Sequence, residues 1–263
     1  MRVQQRSSPF RAALGQWVAG PDPQENLRRV ERDVVAAAAE GAELLVLPEA
    51  SMLGFAHDPR PLAEPLDGPW ASRVRQLARA HGLLVVVGMF RPAGDGRVHN
   101  TVLATDGRDV EAHYDKVHLY DAFGTRESDR TAPGERLVTF EALGTRIGLA
   151  TCYDVRFADQ FTALGRAGAE LVCLPTAWAD GPRKAEQWRL LVRARAMDSQ
   201  AFVLGCDQAL DGQAGASFGV GASLVAGPLG EVLAEAGSGP QLLVAGLDLD
   251  QVRQTRARVP ILG

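Results

Sequence analysis

The chain has 263 residues, 46% of them hydrophobic, and a formal net charge of −4. That length buries a large core without disulfides or metal, and basic residues that are scattered rather than striped argue against a nucleic-acid or anionic-membrane partner. Three cysteines, two of them inside apolar runs, do not make a disulfide framework and fit a reducing cytoplasm.

Residues 1–9 are polar and do not read as a signal peptide. No stretch approaches the roughly 20 apolar residues of a membrane helix, so a soluble, cytoplasmic protein is expected. Strand and helix signals then alternate. Residues 11–18 read as a strand and 24–40 as a helix, with Leu27, Val30, Val34 and Ala38 on one face and Gly41 as its stop. The run 44–47 is short and continuously apolar, as in a strand covered on both faces. A helix over 70–81 precedes a strand at 83–90. Strands at 97–104 and 109–114 are joined through the turn Thr105-Asp106-Gly107-Arg108. An apolar strand, 146–151, runs into Cys152, and a helix from about Tyr153 to Ala167 is expected after it. A strand at 170–174, a helix at 184–200 and a strand at 201–206 follow. The last part is strand-rich, at 220–226, 231–235 and 241–247, with a turn at 227–230 and a short helix or extended tail at the end.

The segment 41–50, GAELLVLPEA, matches 168–177, GAELVCLPTA, in seven of ten positions. A weaker echo relates 70–88 to 188–206, each a helix followed by a strand. Two such halves predict an α/β fold of two packed sheets with helices outside, a four-layer α-β-β-α sandwich. Chance similarity of two Ala- and Leu-rich segments is the alternative. Where the copies differ, Glu49 in the first stands against Thr176 in the second. No composition break interrupts the chain, so 1–263 reads as a single domain.

Cys152 is the candidate nucleophile. At a strand-to-helix turn it would be exposed at a sheet edge and would feel the positive end of the new helix, which favours thiolate. Cys173 and Cys206 lie in apolar strands and read as small core residues. Glu49 ends the strand 44–47. A carboxylate there is either a solvated loop residue or a buried acid whose raised pKa makes it a usable proton carrier. Lys116, in Tyr114-Asp115-Lys116-Val117-His118, could stabilise an oxyanion or sit on the surface. His113 and His118 flank it, but no partner spacing supports a Cys–His pair. The five histidines show no paired metal spacing, and no Gly-x-Ser-x-Gly elbow, phosphate loop or dinucleotide fingerprint occurs. Arg183, after Trp178-Ala179-Asp180-Gly181-Pro182, could bind a substrate carboxylate or remain solvated. Tyr120, Phe123 and Trp178 are candidate pocket walls or general packing.

Together these motifs resemble the nitrilase, or carbon–nitrogen hydrolase, superfamily, over about residues 10–250 and in the family's order. The matching pieces are Leu47-Pro48-Glu49, the segment from Tyr114 to Asp121, Arg126-Glu127-Ser128 with Pro133-Gly134 behind it, and Cys152-Tyr153-Asp154-Val155-Arg156-Phe157. Residues 166–170, 174–177 and Trp188 leading into 193–196 add support. The resemblance implies the sandwich fold and a Glu-Lys-Cys triad: Glu49 as general acid/base, Lys116 as oxyanion partner and Cys152 as nucleophile. It implies Glu127 as a second, positioning glutamate and the Tyr153 backbone N–H as a further oxyanion donor. Neither metal nor organic cofactor is expected. The implied activity is amidase action on a small linear carboxamide through a thioester. Nitrile or N-carbamoyl hydrolysis, or acyl transfer by a soluble enzyme, are the alternatives. The loop between Lys116 and Glu127 has only ten residues, shorter than in many family amidases, which weakens transfer of substrate specificity. By resemblance the chain pairs into a homodimer, with the apolar tail at about 252–263 docking on a partner or on its own subunit.

Overall fold

The computed structural model describes residues 9–211 and 218–263, so most of the N-terminal segment judged not to be a signal peptide lies outside the described residues. Twelve strands and five α-helices are described: β1 Phe10–Gln16, α1 Pro23–Ala39, β2 Leu44–Val46, α2 Pro69–His81, β3 Leu84–Pro92, β4 Val98–Thr105 and β5 Glu111–Asp115 in the first half. The second half contains β6 Val138–Ala142, β7 Thr145–Leu149, α3 Ala158–Arg166, β8 Leu171–Pro175, α4 Lys184–Ser199, β9 Phe202–Cys206, β10 Leu224–Ala226, β11 Val232–Glu235, β12 Gln241–Leu247 and α5 Asp250–Arg258.

Two six-stranded mixed sheets form, in the orders β12-β1-β2-β3-β4-β5 and β6-β7-β8-β9-β10-β11. Successive residues of a strand face opposite ways, and β2 uses both faces. Leu44 and Val46 point between the sheets, where they meet Leu149, Leu171 and Phe202. Leu45 points outward to the apolar stripes of α1 and α2, Val30, Val34, Trp70 and Val74. α3 and α4 cover the second sheet in the same way through Phe161, Leu164, Trp188 and Val192. The architecture is the four-layer α-β-β-α sandwich that the repeat predicts.

The repeat is carried into the strand register. Leu44 pairs with Ala12 on one side and Leu84 on the other, while its echo Leu171 pairs with Ile147 and Phe202. The weaker echo likewise superposes α2–β3 on α4–β9. Trp70 and Trp188 are both fully buried, and each donates its indole N–H to a backbone oxygen, of Pro23 and Ala222 respectively.

Most predicted elements lie within two residues of their observed ends. Three differ. β6 was not anticipated: it is an edge strand whose Val138 and Phe140 are only partly buried, so its apolar signal is weak. The strand expected over 220–226 is confined to Leu224–Ala226. The helix expected directly after Cys152 is instead a 3₁₀ turn over Cys152–Arg156, and α3 begins only at Ala158, after the extended backbone of Phe157. The C-terminal tail lies on its own subunit, where Arg166 and Gln200 donate to the Leu262 and Val259 carbonyls.

Candidate active site

Three strand ends meet at one end of the sandwich. Glu49 lies three residues past β2, Lys116 directly follows β5, and Cys152 lies three residues past β7. Glu49 and Lys116 come from the first sheet and Cys152 from the second, so packing of the two sheets brings them together. All three, with Glu127, line a cavity of about 330 Å³, a volume suited to a small ligand.

The hydrogen bonds are specific. The Lys116 Nζ lies 2.9 Å from Glu49 Oε1 and 2.9 Å from Glu127 Oε2. Glu49 Oε2 accepts the Ala177 backbone N–H at 2.9 Å, and the Cys152 thiol lies 3.7 Å from the Ala177 carbonyl. One peptide residue therefore touches both the acid and the sulfur. Glu127 Oε2 also accepts the Tyr120 backbone N–H at 2.6 Å, which pins the loop after Lys116 to the cluster. Asn100, in the middle of β4 and fully buried, donates its amide nitrogen to Glu49 Oε1 at 2.8 Å and to Glu127 Oε1 at 3.1 Å. Sequence reasoning missed it. Its signal was weak, an amide among the polar residues His99 and Thr101 at the start of the strand Val98–Thr105.

Burial and the Glu127 carboxylate push Glu49 above the ordinary carboxylate range, while Lys116 pulls it back. Burial works against the Lys116 ammonium, but the carboxylates of Glu127 and Glu49 outweigh it and hold its pKa well above the usual lysine value. Cys152 corrects the sequence expectation. It is 7% exposed, and burial together with the Glu49 charge raises its thiol pKa well above normal, although Lys116 opposes the shift. The turn that follows is a short 3₁₀ segment, too short to supply a helix dipole at the sulfur.

The turn itself is built to aim the sulfur. Cys152 has φ of +45°, a conformation costly for a residue with a Cβ. Thr151 and Asp154 form a reciprocal capping box around it. Asp154 is fully buried and ties this turn to the lysine segment: its Oδ2 accepts from Tyr114 Oη at 2.7 Å and Thr151 N at 2.9 Å, and its Oδ1 accepts the His118 backbone N–H at 3.1 Å. The His118 ring is held by Asp154 at 2.8 Å and stacks on Phe157 at 3.6 Å. It serves Asp154, not the sulfur.

The predicted pocket residues divide. Tyr120 and Trp178 line the cavity. The Tyr153 ring does not; it packs edge-on against Tyr120 and Phe157. Phe123 is 77% exposed and sits outside the lining. Arg183 is turned to solvent, paired with Glu186 at 3.0 Å, and is not part of the cavity lining. Its neighbour Lys184 does line the cavity, 4.1 Å from the Phe123 ring centroid and 5.6 Å from that of Trp178. No carboxylate among the described residues pairs with it, and residues 212–217 contain none. Burial and repulsion from Arg156 lower its pKa. Asp207, also missed, is fully buried and accepts the backbone N–H groups of Trp178 at 2.8 Å and Val220 at 2.9 Å, which fixes the lining residue Trp178. Its signal was an acid ending a fully apolar strand.

Comparison with known proteins agrees with this geometry. Residues 11–257 match the profile of the carbon–nitrogen hydrolase family. A hydrolase of Mycobacterium tuberculosis is 48% identical over 96% of this chain and 94% of its own length. An omega-amidase of Xenopus tropicalis is 33% identical over 96% and 93%. Among solved structures, Saccharomyces cerevisiae Nit3, a member of branch 10 of the nitrilase superfamily, superposes with a TM-score of 0.85 at 28% identity, covering 97% of this chain and 96% of that one.

Proposed function

Because the chain belongs to the carbon–nitrogen hydrolase family and is an amidase-like hydrolase of the nitrilase superfamily, we propose that it converts a small linear carboxamide to carboxylate and ammonia through a thioester on Cys152. The observation that carries this reading is one cavity lined by a thiol, a buried carboxylate and a buried ammonium, with Glu49 and Lys116 in contact at 2.9 Å.

The chemistry follows from the proton inventory. Glu49 takes the Cys152 thiol proton as the sulfur bonds to the amide carbon, and the carbonyl π electrons move to oxygen. Lys116 and the Tyr153 backbone N–H stabilise that oxyanion. Glu49 returns the proton to nitrogen, the C–N bond breaks and ammonia leaves a thioester. Water then attacks while Glu49 accepts its proton, the C–S bond breaks and the thiol is restored. Glu127, held to Lys116 and Asn100, positions the ammonium.

The substrate's far end is proposed to be anionic. Lys184 supports this, since an ammonium half-buried against aromatic faces with no carboxylate partner gains most from a substrate charge. The omega-amidase among the relatives is in keeping with it. A cytoplasmic homodimer completes the proposal, supported by the exposed Leu190 and Met197 on α4 and Ile261 on the tail.

Ammonia release over a panel of amides, ω-amides, carbamoyl compounds and nitriles tests the reaction. Adding hydroxylamine to the same assay separates water from other acyl acceptors. Cys152→Ala should abolish turnover with its circular dichroism unchanged; wild-type-like turnover in that variant overturns the assignment.

A further inference from the structure

One ammonium serves two buried carboxylates at this site. Glu49 is fully buried and the Glu127 side chain is 8% exposed, so water does little to offset the negative charge that Lys116 leaves uncompensated. Asn100 supplies what is missing. Its single nitrogen gives one N–H to each carboxylate, at 2.8 and 3.1 Å, and its backbone carbonyl accepts the Lys116 N–H at 2.9 Å. The same side chain therefore fixes the lysine backbone and bridges both acids.

The other end of the amide is the telling part. Asn100 Oδ1 is buried without a hydrogen-bond partner, a cost that a side chain present only for stability would not carry. Rotating the amide would satisfy nothing and would turn an oxygen toward two carboxylates. The orientation is thus dictated by charge. Its consequence falls on Glu49: Oε1 is occupied by both Asn100 and Lys116, whereas Oε2 accepts the Ala177 N–H, and the carboxylate is also in hydrogen-bond contact with the Cys152 thiol. The second lone pair on Oε2 is left for the thiol.

We propose that Asn100 is a positioning residue that offsets the second carboxylate charge and directs the free lone pair of Glu49 Oε2 toward Cys152, so that Glu49 accepts the thiol proton near neutral pH. The inference rests on the Glu49–Cys152 proton transfer proposed above. The step is a transfer of one proton from Cys152 Sγ to Glu49 Oε2 as sulfur bonds to the electrophilic carbon; Asn100 keeps its own protons throughout.

Alkylation of Cys152 by iodoacetamide, followed against pH by mass spectrometry, reads this directly and needs no knowledge of the natural amide. In Asn100→Leu the acid limb of the alkylation profile should move to higher pH by one unit or more. The nearly isosteric Asn100→Asp, which keeps the side-chain outline if the leucine variant fails to fold, should move it further. Adding Glu127→Gln to either variant removes the second charge and should bring the limb back, and Glu127→Gln alone should move it the opposite way. An unmoved limb with alkylation slowed equally at every pH would reduce Asn100 to a packing residue and overturn the proposal. If the limb moves while the wild type hydrolyses no amide, the reaction assignment fails and this inference stands. If the wild type hydrolyses amides while the limb stays put, this inference fails alone.

Discussion

Gly88 and Glu49 are in backbone contact: a Cβ on Gly88 would stand 2.8 Å from Glu49 Cα and 2.6 Å from the Ala50 nitrogen. Neither neighbour is a side chain that can rotate away, so Gly88→Ala must displace the strand end that carries the acid. A small displacement of a reacting group costs on the order of 10²-fold in rate, whereas an extra methyl in a packed interior costs about 1–3 kcal/mol. Gly205→Ala is the control. It would press on the Trp188 ring at 2.7 Å, on the far side of the second sheet, and should lower Tm with kcat largely intact. The check is kcat and Tm on both variants, and equal loss of kcat in the two would remove Gly88 from the account of the site.

Glu49→Gln separates the two influences on Cys152. The variant loses the proposed proton acceptor, so kcat should fall by roughly 10²–10⁴-fold. It also loses a negative charge that, after burial, is the main cause of the raised thiol pKa. The acid limb of thiol alkylation should therefore vanish, leaving a single rise at alkaline pH set by burial. Alkylation rates from acid to alkaline pH test this, and an acid limb that persists in the variant would mean another base serves the sulfur.

The sandwich was legible because the repeat is written in buried positions. Each half needs an apolar strand covered on both faces, so GAELLVLPEA and GAELVCLPTA kept their likeness, and Trp70 and Trp188 kept equivalent places in the packing. Glu49, Lys116, Glu127 and Cys152 were legible through motif resemblance, and the sheets bring them to one cavity. What escaped was set by tertiary contact. Asn100 is informative only once two acids lie across from it. Arg183 and Lys184 are adjacent cations in the sequence, and only the local backbone, with Arg183 at φ of +60°, decides which one faces the cavity. The expected helix dipole at Cys152 failed for a related reason. A strand followed by helix-forming residues suggests a dipole, but the capping box of Thr151 and Asp154 tightened the segment into a 3₁₀ turn.

Asp33 gives the fold a pH dependence away from the cavity. It lies on α1 beside Gly15, and Arg32 and the Trp17 indole partly stabilise its carboxylate. Burial raises its carboxyl from 3.8 to about 6. A folded value above the unfolded one means the protonated form is favoured by folding. The associated stability is fully present below pH 3.8 and is lost as pH rises through about 6. The difference corresponds to about 3 kcal/mol at most. Asp33→Asn should flatten this part of the profile. Urea unfolding of the wild type and the variant between pH 4 and 8 measures it, and parallel profiles would locate the dependence elsewhere.

Lys184 should decide charge preference. Four cationic side chains line the cavity, Lys116, Arg126, Arg130 and Lys184, against the carboxylates of Glu49, Glu127 and Asp129. Lys116 is engaged by two of those carboxylates, and Arg126 lies 3.5 Å from the third. A substrate carboxylate reaching Lys184 gains a charge-assisted contact in a partly dehydrated setting, worth about 1.5–3 kcal/mol. Lys184→Met, which keeps the stem that packs on Phe123 and Trp178, should therefore lower kcat/KM for succinamate by roughly 10- to 100-fold. For butyramide, which has no charge at the far end, it should change kcat/KM by less than about 3-fold, because uniform packing is preserved. Arg183→Met, one residue earlier but solvated and paired with Glu186, should leave both substrates unaffected. Measuring both amides with both variants discriminates the two cations. A fall of equal size for succinamate and butyramide in Lys184→Met would assign Lys184 to wall packing instead of charge recognition.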